Sequence, residues 1–153
     1  MSDEIVTIIG LREVLTSIRG LGELGNTKPL MEEIGLYFIS QIQIRTAEGK
    51  DAEGRDFDPY SPAYAAFRRS KKHSADKVNL FFTGSMMSSM TEEASDNEVK
   101  LFFQNTSDKT GMKNPEKAFY LNENREFFAV PEEDRQYAIN LVEDYINNIL
   151  RNR

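Results

Sequence analysis

Residues 54–64 read Gly-Arg-Asp-Phe-Asp-Pro-Tyr-Ser-Pro-Ala-Tyr, and residues 80–90 read Leu-Phe-Phe-Thr-Gly-Ser-Met-Met-Ser-Ser-Met. The first stretch joins a glycine turn to a large aromatic residue, Phe57. Its Ser-Pro step predicts a helix with Ser61 as the N-cap and Pro62 as the first residue. The second stretch is an apolar run that a Thr-Gly step interrupts. Neither contains a catalytic motif, and both are typical of the turns and anchors that fold a small scaffold.

The chain has 153 residues, the usual length of one domain. We predict a single domain over residues 1–153, with an N-terminal strand and helix extension at 1–28 and a core at 29–151. The net charge of −6 disfavours a general nucleic-acid-binding protein, which needs a basic surface to displace the counterions of phosphate. The absence of cysteine excludes disulfides, thiolate zinc sites and cysteine nucleophiles.

The first residues of the sequence are acidic, whereas a signal peptide begins with basic residues. No segment of the sequence approaches the roughly 18 consecutive apolar residues of a membrane span. We therefore expect a protein of the cytoplasm without a membrane partner.

Three segments determine the predicted architecture. Between residues 29 and 47, large apolar side chains recur every fourth residue, which predicts a helix of about 28 Å. The turn residues 95–97 separate segments 86–94 and 98–104, and the second of these alternates, so we predict an antiparallel hairpin. Pro131 and the acids that follow it predict a last helix to residue 151. The predicted class is α+β, a small antiparallel sheet with a central hairpin packed against two long helices.

Shorter elements complete this prediction. Residues 5–9 are a strand or the first turn of a helix, residues 11–21 a short helix, and residues 61–71 another helix. Residues 48–60 and 105–116 are polar loops, and residues 80–82 a short apolar element. The side chains predicted to form the core are Phe38, Ile42, Phe57, Phe82, Leu101, Phe103, Leu141, Tyr145 and Ile149.

Candidate catalytic residues are few. His73 is the only histidine, and we interpret it as a solvated residue of a basic segment, because a general base needs an orienting partner and a dry site. The acids at 32–33 and 132–134 stand at helix starts, where they complement the helix dipole. Glu92 and Glu93 point to opposite faces of a strand and cannot serve one site. We therefore predict no catalytic residue, no cofactor and no metal site.

Three further patterns lack the residues that would complete a site. The acids of residues 51–58 have the spacing of a calcium loop, but Pro62 stands at the twelfth position, where glutamate is required. The glycines of residues 20–25 lack the Gly-Lys-Ser/Thr of a phosphate loop. Thr83-Gly84-Ser85 is not a nucleophile elbow, so we read it as a turn.

The only dense basic patch consists of Arg68, Arg69, Lys71 and Lys72. Basic residues with aromatic neighbours can hold single-stranded nucleic acid, and Tyr64 and Phe67 lie nearby. We expect these two rings to pack inward, which favours a patch that contacts phosphate or a partner protein. A small cytosolic binding or regulatory module that contacts nucleic acid through residues 68–72 remains an alternative function. A carboxylate-dependent hydrolase is a third hypothesis, which would require two convergent acids in a pocket.

The order of these features resembles the virion morphogenesis or tail-completion proteins of tailed bacteriophages. Those proteins carry a long helix ending in arginine, a Gly-x-x-aromatic-x-Pro-Leu/Tyr-Ser-Pro turn and a lysine-containing segment. A Leu-x-x-Thr-Gly-x-Leu/Met-x-x-Ser motif and a hairpin follow. Next come a Tyr-Ala-x-x-His-Asn-like element, an Arg-x-Phe-Phe segment and a C-terminal helix. The resemblance covers roughly residues 29–150. The matching residues are Arg45, Gly54, Phe57, Pro59, Tyr60, Ser61, Pro62, Lys71, Lys72, Leu80, Thr83, Gly84, Met87, Ser88, Ala118 to Glu123, Arg125, Phe127 and Phe128. Phe57 replaces the usual tryptophan, and the loop before Ala118 has no histidine.

The resemblance implies a non-enzymatic structural protein of a phage or prophage that acts in tail completion and head–tail joining at the neck. It implies no cofactor. Its partners would be copies of itself, in a hexameric ring around the DNA channel, and the neighbouring neck, connector and tail-tube proteins. DNA would pass nearby without sequence-specific binding. The protein would reside in the host cytoplasm before assembly and in the virion afterwards.

Overall fold

The structure, a computed structural model, describes residues 6–10, 27–80, 84–95, 98–107 and 111–151, with the backbone alone at 6–10 and 149–150. The predicted helix over 11–21, the glycines of 20–25 and the side chains of Phe82, Thr83 and Ile149 lie outside the described part. The elements are β1 (Val6–Gly10), α1 (Lys28–Ala47), α2 (Pro62–Ser70), α3 (Ser85–Ser88), β2 (Met90–Ala94), β3 (Glu98–Phe103), α4 (Asn114–Asn124) and α5 (Glu132–Arg151). The predicted α+β class is confirmed.

The sheet has three antiparallel strands in the order β1-β3-β2, so β3 lies in the centre. Val6 faces Phe102 across one ladder, and Met90 faces Phe103 across the other. The predicted hairpin and N-terminal strand are both present. The prediction that the first arm begins at residue 86 is wrong, because residues 85–88 form one helical turn. Met86 and Met87 are both buried, which adjacent residues of a strand cannot achieve on one face.

Helix α1 packs across β2 and β3. The predicted stripe of Leu30, Ile34, Phe38 and Ile42 is buried, opposite the alternating inward residues of β3. Gly35 sets how closely the helix approaches the sheet. A Cβ atom at Gly35 would lie 2.7 Å from Val99 Cγ2, so only glycine permits this spacing.

Helix α5 buries only part of the apolar face that its sequence predicts. Ala138, Val142 and Ile146 are buried, whereas Leu141 and Tyr145 only pack at the margin of the core. A pair of contacts holds the helix against α1. Arg45 Nη1 donates to Asp134 Oδ2 at 2.6 Å, and the Tyr37 and Tyr137 rings stack at 4.0 Å. These contacts join the first part of α5 to α1.

Helix α4 is absent from the prediction, which placed residues 105–116 in a loop. Asn114 is fully buried at its start, and its Nδ2 donates to Thr106 Oγ1 at 2.9 Å and to Ser85 Oγ at 3.1 Å. This amide joins α4 to α3. The helix has little apolar periodicity, since its buried residues are Asn114, Pro115 and Ala118.

The loop over residues 48–60 is anchored by a buried aromatic side chain and a backbone hydrogen bond to residue 126. The Phe57 side chain is buried, and the Ala52 N–H donates to the Glu126 carbonyl at 2.9 Å. Within the loop, the Phe57 N–H donates to the Gly49 carbonyl at 2.9 Å. The loop is therefore buried at Gly49, Ala52 and Phe57, and the rest of it is half-buried or exposed.

We expect Phe57→Ala to lower the free energy of unfolding by about 3–5 kcal/mol, because it removes a buried ring and leaves a cavity. Urea denaturation followed by circular dichroism measures the change. The control is Phe67→Ala, which truncates a ring that is 46% exposed and should cost less than about 1 kcal/mol. A loss below about 1 kcal/mol for Phe57→Ala would show that the loop is not anchored to the core.

Glu92 lies under α1 without a hydrogen bond to one of its oxygens. The Glu92 Cβ is so close to α1 that a Cβ atom added at Gly35 would lie 3.0 Å from it. Glu92 Oε2 is buried and has no hydrogen-bond partner among the described residues. Burial, followed by the nearby charge of Glu32, raises the pKa of Glu92 above its ordinary value of 4.5. Glu93 lies on the other face and pairs with Lys100 at 3.4 Å. The prediction that the two acids point apart is confirmed.

Because the pKa of Glu92 is higher in the folded protein than in the unfolded chain, ionisation of Glu92 opposes folding. This penalty is absent below the ordinary pKa and complete above the folded pKa. We expect Glu92→Gln to raise the melting temperature at pH 7, with the difference from the wild type shrinking as the pH falls towards 4.5 and absent below it. Glu93→Gln, the exposed control, should show no such gain. A Glu92→Gln difference that does not change with pH would contradict this assignment.

Candidate functional site

The ring of Tyr60 is the meeting point of two sequence motifs. The Arg68 guanidinium carbon lies 4.9 Å from the ring centroid, and that of Arg125 lies 5.5 Å away. The Tyr64 ring meets Tyr60 edge-on at 5.0 Å. Contacts of cations with an aromatic face stabilise by about 0.5–2 kcal/mol each. The turn at 57–62, α2 and the end of α4 therefore converge on Tyr60.

Arg125 holds the backbone of the acidic turn. Its Nη2 donates to the carbonyls of Asp58 at 3.1 Å and Pro59 at 3.3 Å, and its Nε donates to Asp58 at 3.3 Å. Carbonyl acceptors paired with a charged donor form the stronger class of hydrogen bond. Two of the motifs on which the resemblance rests are thus in direct contact.

Helix α2 packs against the rest of the protein through only two of its nine residues. Ser61 Oγ accepts from the Tyr64 N–H at 3.2 Å, so the predicted N-cap followed by proline is confirmed. Only Ala65 and Arg68 of the helix are buried. The prediction that Tyr64 and Phe67 pack inward is wrong, since these side chains are 40% and 46% exposed.

Arg68 takes the inward position that we expected the aromatic residues to hold. It is 2% exposed, and its Nε donates to the Ser74 carbonyl at 2.8 Å. A long side chain buries its methylene stem while the guanidinium is satisfied by the carbonyl and the Tyr60 ring. Arg68 is therefore not one of the exposed residues of the basic patch predicted over residues 68–72.

The rest of the basic patch is on the surface. Arg69, Lys71 and Lys72 are exposed. Arg69 lies 3.8 Å from Asp76, and the Lys71 ammonium lies 6.0 Å from the Phe67 ring centroid. His73, which we predicted to be solvated, is half-buried instead.

A groove of about 430 Å³ opens between α2 and α4. We call it the α2–α4 groove, and it is lined by Tyr60, Ser61, Tyr64, Arg68, Leu80, Lys117, Leu121 and Arg125. Three of these side chains are cations and none is a carboxylate. The Tyr60 hydroxyl is buried there and finds no hydrogen-bond partner within the described residues. The groove therefore offers positive charge and an apolar wall.

The acids of the loop at 51–58 do not form a metal site. Asp51 Oδ1 accepts from the N–H groups of Glu53 and Arg55 at 2.9 Å each. Burial raises the pKa of Asp51, but hydrogen bonds from Arg55 and Glu53 outweigh it and hold that pKa below 3.8. Asp56 pairs with Lys50. In the described part of the chain, no group of three or more His, Cys, Asp or Glu residues could hold a metal ion.

The prediction that acidic residues occupy the first turn of two helices is confirmed for α5 and wrong for α1. Glu132, Glu133 and Asp134 lie in the first turn of α5 as predicted. Glu32 and Glu33 do not lie in the first turn of α1, because that helix begins at Lys28. Dipole compensation therefore explains the acids of α5 and not those of α1.

The remaining motif residues act within the fold. Gly54 and Gly84 have φ of +81° and +82°, values that favour glycine. Ser88 Oγ donates to the Gly84 carbonyl at 2.7 Å. Phe127 and Phe128 are buried against Phe103, with ring centroids 6.2 Å and 4.9 Å away. Pro59 and Pro62 are exposed and Leu80 is buried.

Lys117 and Leu121 are the groove residues that sequence reasoning missed. They stand four residues apart on α4, so they lie on the same side of the helix. The signal available in the sequence was the Asn-Pro step at 114–115, which is typical of a helix start.

We expect Arg68→Met to lower the free energy of unfolding by about 1.5–3 kcal/mol, because it removes a hydrogen bond from a buried charged donor. Chemical denaturation measures the change. Arg69→Met is the matched control on the exposed neighbour, for which we expect a change within about 0.5 kcal/mol. Equal effects of the two substitutions would contradict the inward position of Arg68.

In the described residues, no helix is both long enough and apolar enough to span a membrane. The model of the phage virion morphogenesis family matches residues 7–112. No curated protein and no solved structure gives a significant match. The matched range includes both motifs of 54–64 and 80–90, and it ends before Arg125. Because the match covers more than half of the 153 residues, the chain belongs to the phage virion morphogenesis family.

Proposed function

We propose that this protein is a non-enzymatic component of the head–tail neck that completes the tail by assembling into a ring of copies. Membership of the virion morphogenesis family supports a structural role in building a phage particle. The neck position, the hexameric ring and the contacts with connector and tail-tube proteins are the parts that we propose. A resident prophage would encode the same component.

The observation that carries the proposal is the outer face of α2. Seven of its nine residues are exposed, among them two aromatic residues beside three exposed cations. Aromatic residues and arginine are enriched at protein interfaces. Arg68 and the contacts of Tyr60 fix this face to the core, so docking would require little ordering of the chain.

The titratable groups with shifted pKa values also support a structural reading. The pKa values of Tyr37, Asp51 and Glu92 are shifted. None of these residues lines the α2–α4 groove. Asp51 lines a second groove of about 430 Å³ and Tyr37 lines one of about 250 Å³. The two residues do not share a groove, whereas catalytic groups with perturbed pKa values gather in one cleft.

The net charge of −6 suits a part that DNA passes. A negatively charged wall repels phosphate and so disfavours adhesion to the DNA. This supports passage of DNA without sequence-specific binding.

The proposal is tested in the phage or induced prophage that encodes the chain, by an early stop codon in its gene. We expect DNA-filled heads and separate tails under the electron microscope, because the joint between them is missing. The wild-type chain supplied from a plasmid should restore joined particles. Tyr64→Glu with Phe67→Glu should not restore them, whereas the conservative control Tyr64→Phe with Phe67→Tyr should. Intact infectious particles from the null mutant would refute the proposed function.

A further inference from the structure

We infer that the α2–α4 groove of one copy receives the acidic outer face of α5 from a second copy. This contact rests on the proposed function, because it identifies the surfaces through which copies join in the ring.

The groove has the chemistry of a receptor for carboxylates that are flanked by an apolar side chain. Lys117 and Arg125 contribute positive charge at the wall of the groove, the buried Arg68 adds its charge from behind, and no carboxylate is among the described lining residues. Leu80 and Leu121 provide apolar surface.

Exposed cations extend this positive surface beyond the groove. Arg69, Lys71 and Lys72 follow the groove residue Arg68 at the end of α2 and are exposed. The protein as a whole carries a net charge of −6. Four of its 19 Lys and Arg residues therefore stand within the five positions 68–72, next to the groove.

The outer face of α5 carries the complementary charge. Glu132 and Glu143 are eleven residues apart, as are Glu133 and Asp144, so each pair repeats on one side after about three turns. All four are exposed, and the buried face of α5 points towards α1. Tyr137, 45% exposed and one turn after Glu133, supplies an apolar side chain.

The opposite charges of the groove and of the outer face of α5 favour a second copy as the occupant of the groove. Two copies of a protein with charge −6 repel each other unless oppositely charged patches meet. The two patches lie on different elements, so the contact joins unlike surfaces. Such a heterologous contact produces a closed ring when its rotation closes. Complementary charges also fix the register of the two surfaces.

Charge reversal on each surface, alone and combined, tests the contact. The groove variant is Lys117→Glu, in the groove, together with Lys71→Glu, on the exposed surface beside it. The helix variant is Glu143→Lys with Asp144→Lys. Sedimentation of the purified protein measures self-association, and complementation of the null phage measures particle formation. We expect each variant alone to weaken association by about tenfold or more and to lower the phage titre. Circular dichroism verifies that each variant is folded.

The decisive results come from the four substitutions together and from a mixture of the two variants. Both should restore association and titre, because each negative groove then meets a positive helix. If neither restores them, the contact between copies is overturned, and an acidic segment of another neck protein is the occupant. Groove variants that lose DNA binding while association is unchanged would also overturn it. If the wild-type chain rescues the null phage while these tests fail, the proposed function stands and only this contact is wrong.

Discussion

The contact of the Arg68 and Arg125 guanidinium groups with the Tyr60 ring holds the surface of this protein to its core. Tyr60 belongs to the turn, Arg68 to α2 and Arg125 to the end of α4. Phe57 anchors the same turn from beneath. The exposed side of α2 and the α2–α4 groove both take their position from this contact, so the proposed docking surface is preformed.

The core beneath this contact depends on other interactions. Helix α1 approaches β3 closely because Gly35 has no side chain, and α5 is held to α1 by the Arg45–Asp134 pair. A buried ion pair of this kind specifies a geometry more than it adds stability, since desolvation offsets much of its attraction. The consequence for function is that α5 presents its acidic face outward. The positions of α5 and α2 thus determine which charged side chains are exposed.

The sequence predicts correctly those elements whose apolar periodicity or capping residues match the burial and helix starts seen in the structure. The four-residue stripe of α1, the alternation of β3 and the Ser61-Pro62 start of α2 are all of this kind. Helix α4 escaped prediction because a buried polar residue, Asn114, starts it and its apolar pattern is weak. The turn and the glycines of the motif were identifiable, but the groove depends on α4.

Two errors share a physical origin in contacts between residues distant in sequence. Leu141 and Tyr145, which we predicted in the core, lie at its margin on a helix that is joined to α1 through Arg45, 89 residues before Asp134. Arg68 faces inward because Tyr60 and the Ser74 carbonyl receive it, which leaves Tyr64 and Phe67 outside. Residue type alone favoured the opposite arrangement, since arginine is seldom fully buried without partners. The exposed rings are the feature that the proposed function explains.

Cryo-electron microscopy of the particle neck at side-chain resolution tests the central claim most directly. The account predicts a ring of this chain in which the outer face of α5 from each copy is seated in the α2–α4 groove of the next, with Tyr64 and Phe67 covered. A neck without this chain, or a ring whose α2 faces solvent or DNA with the groove empty, would contradict it.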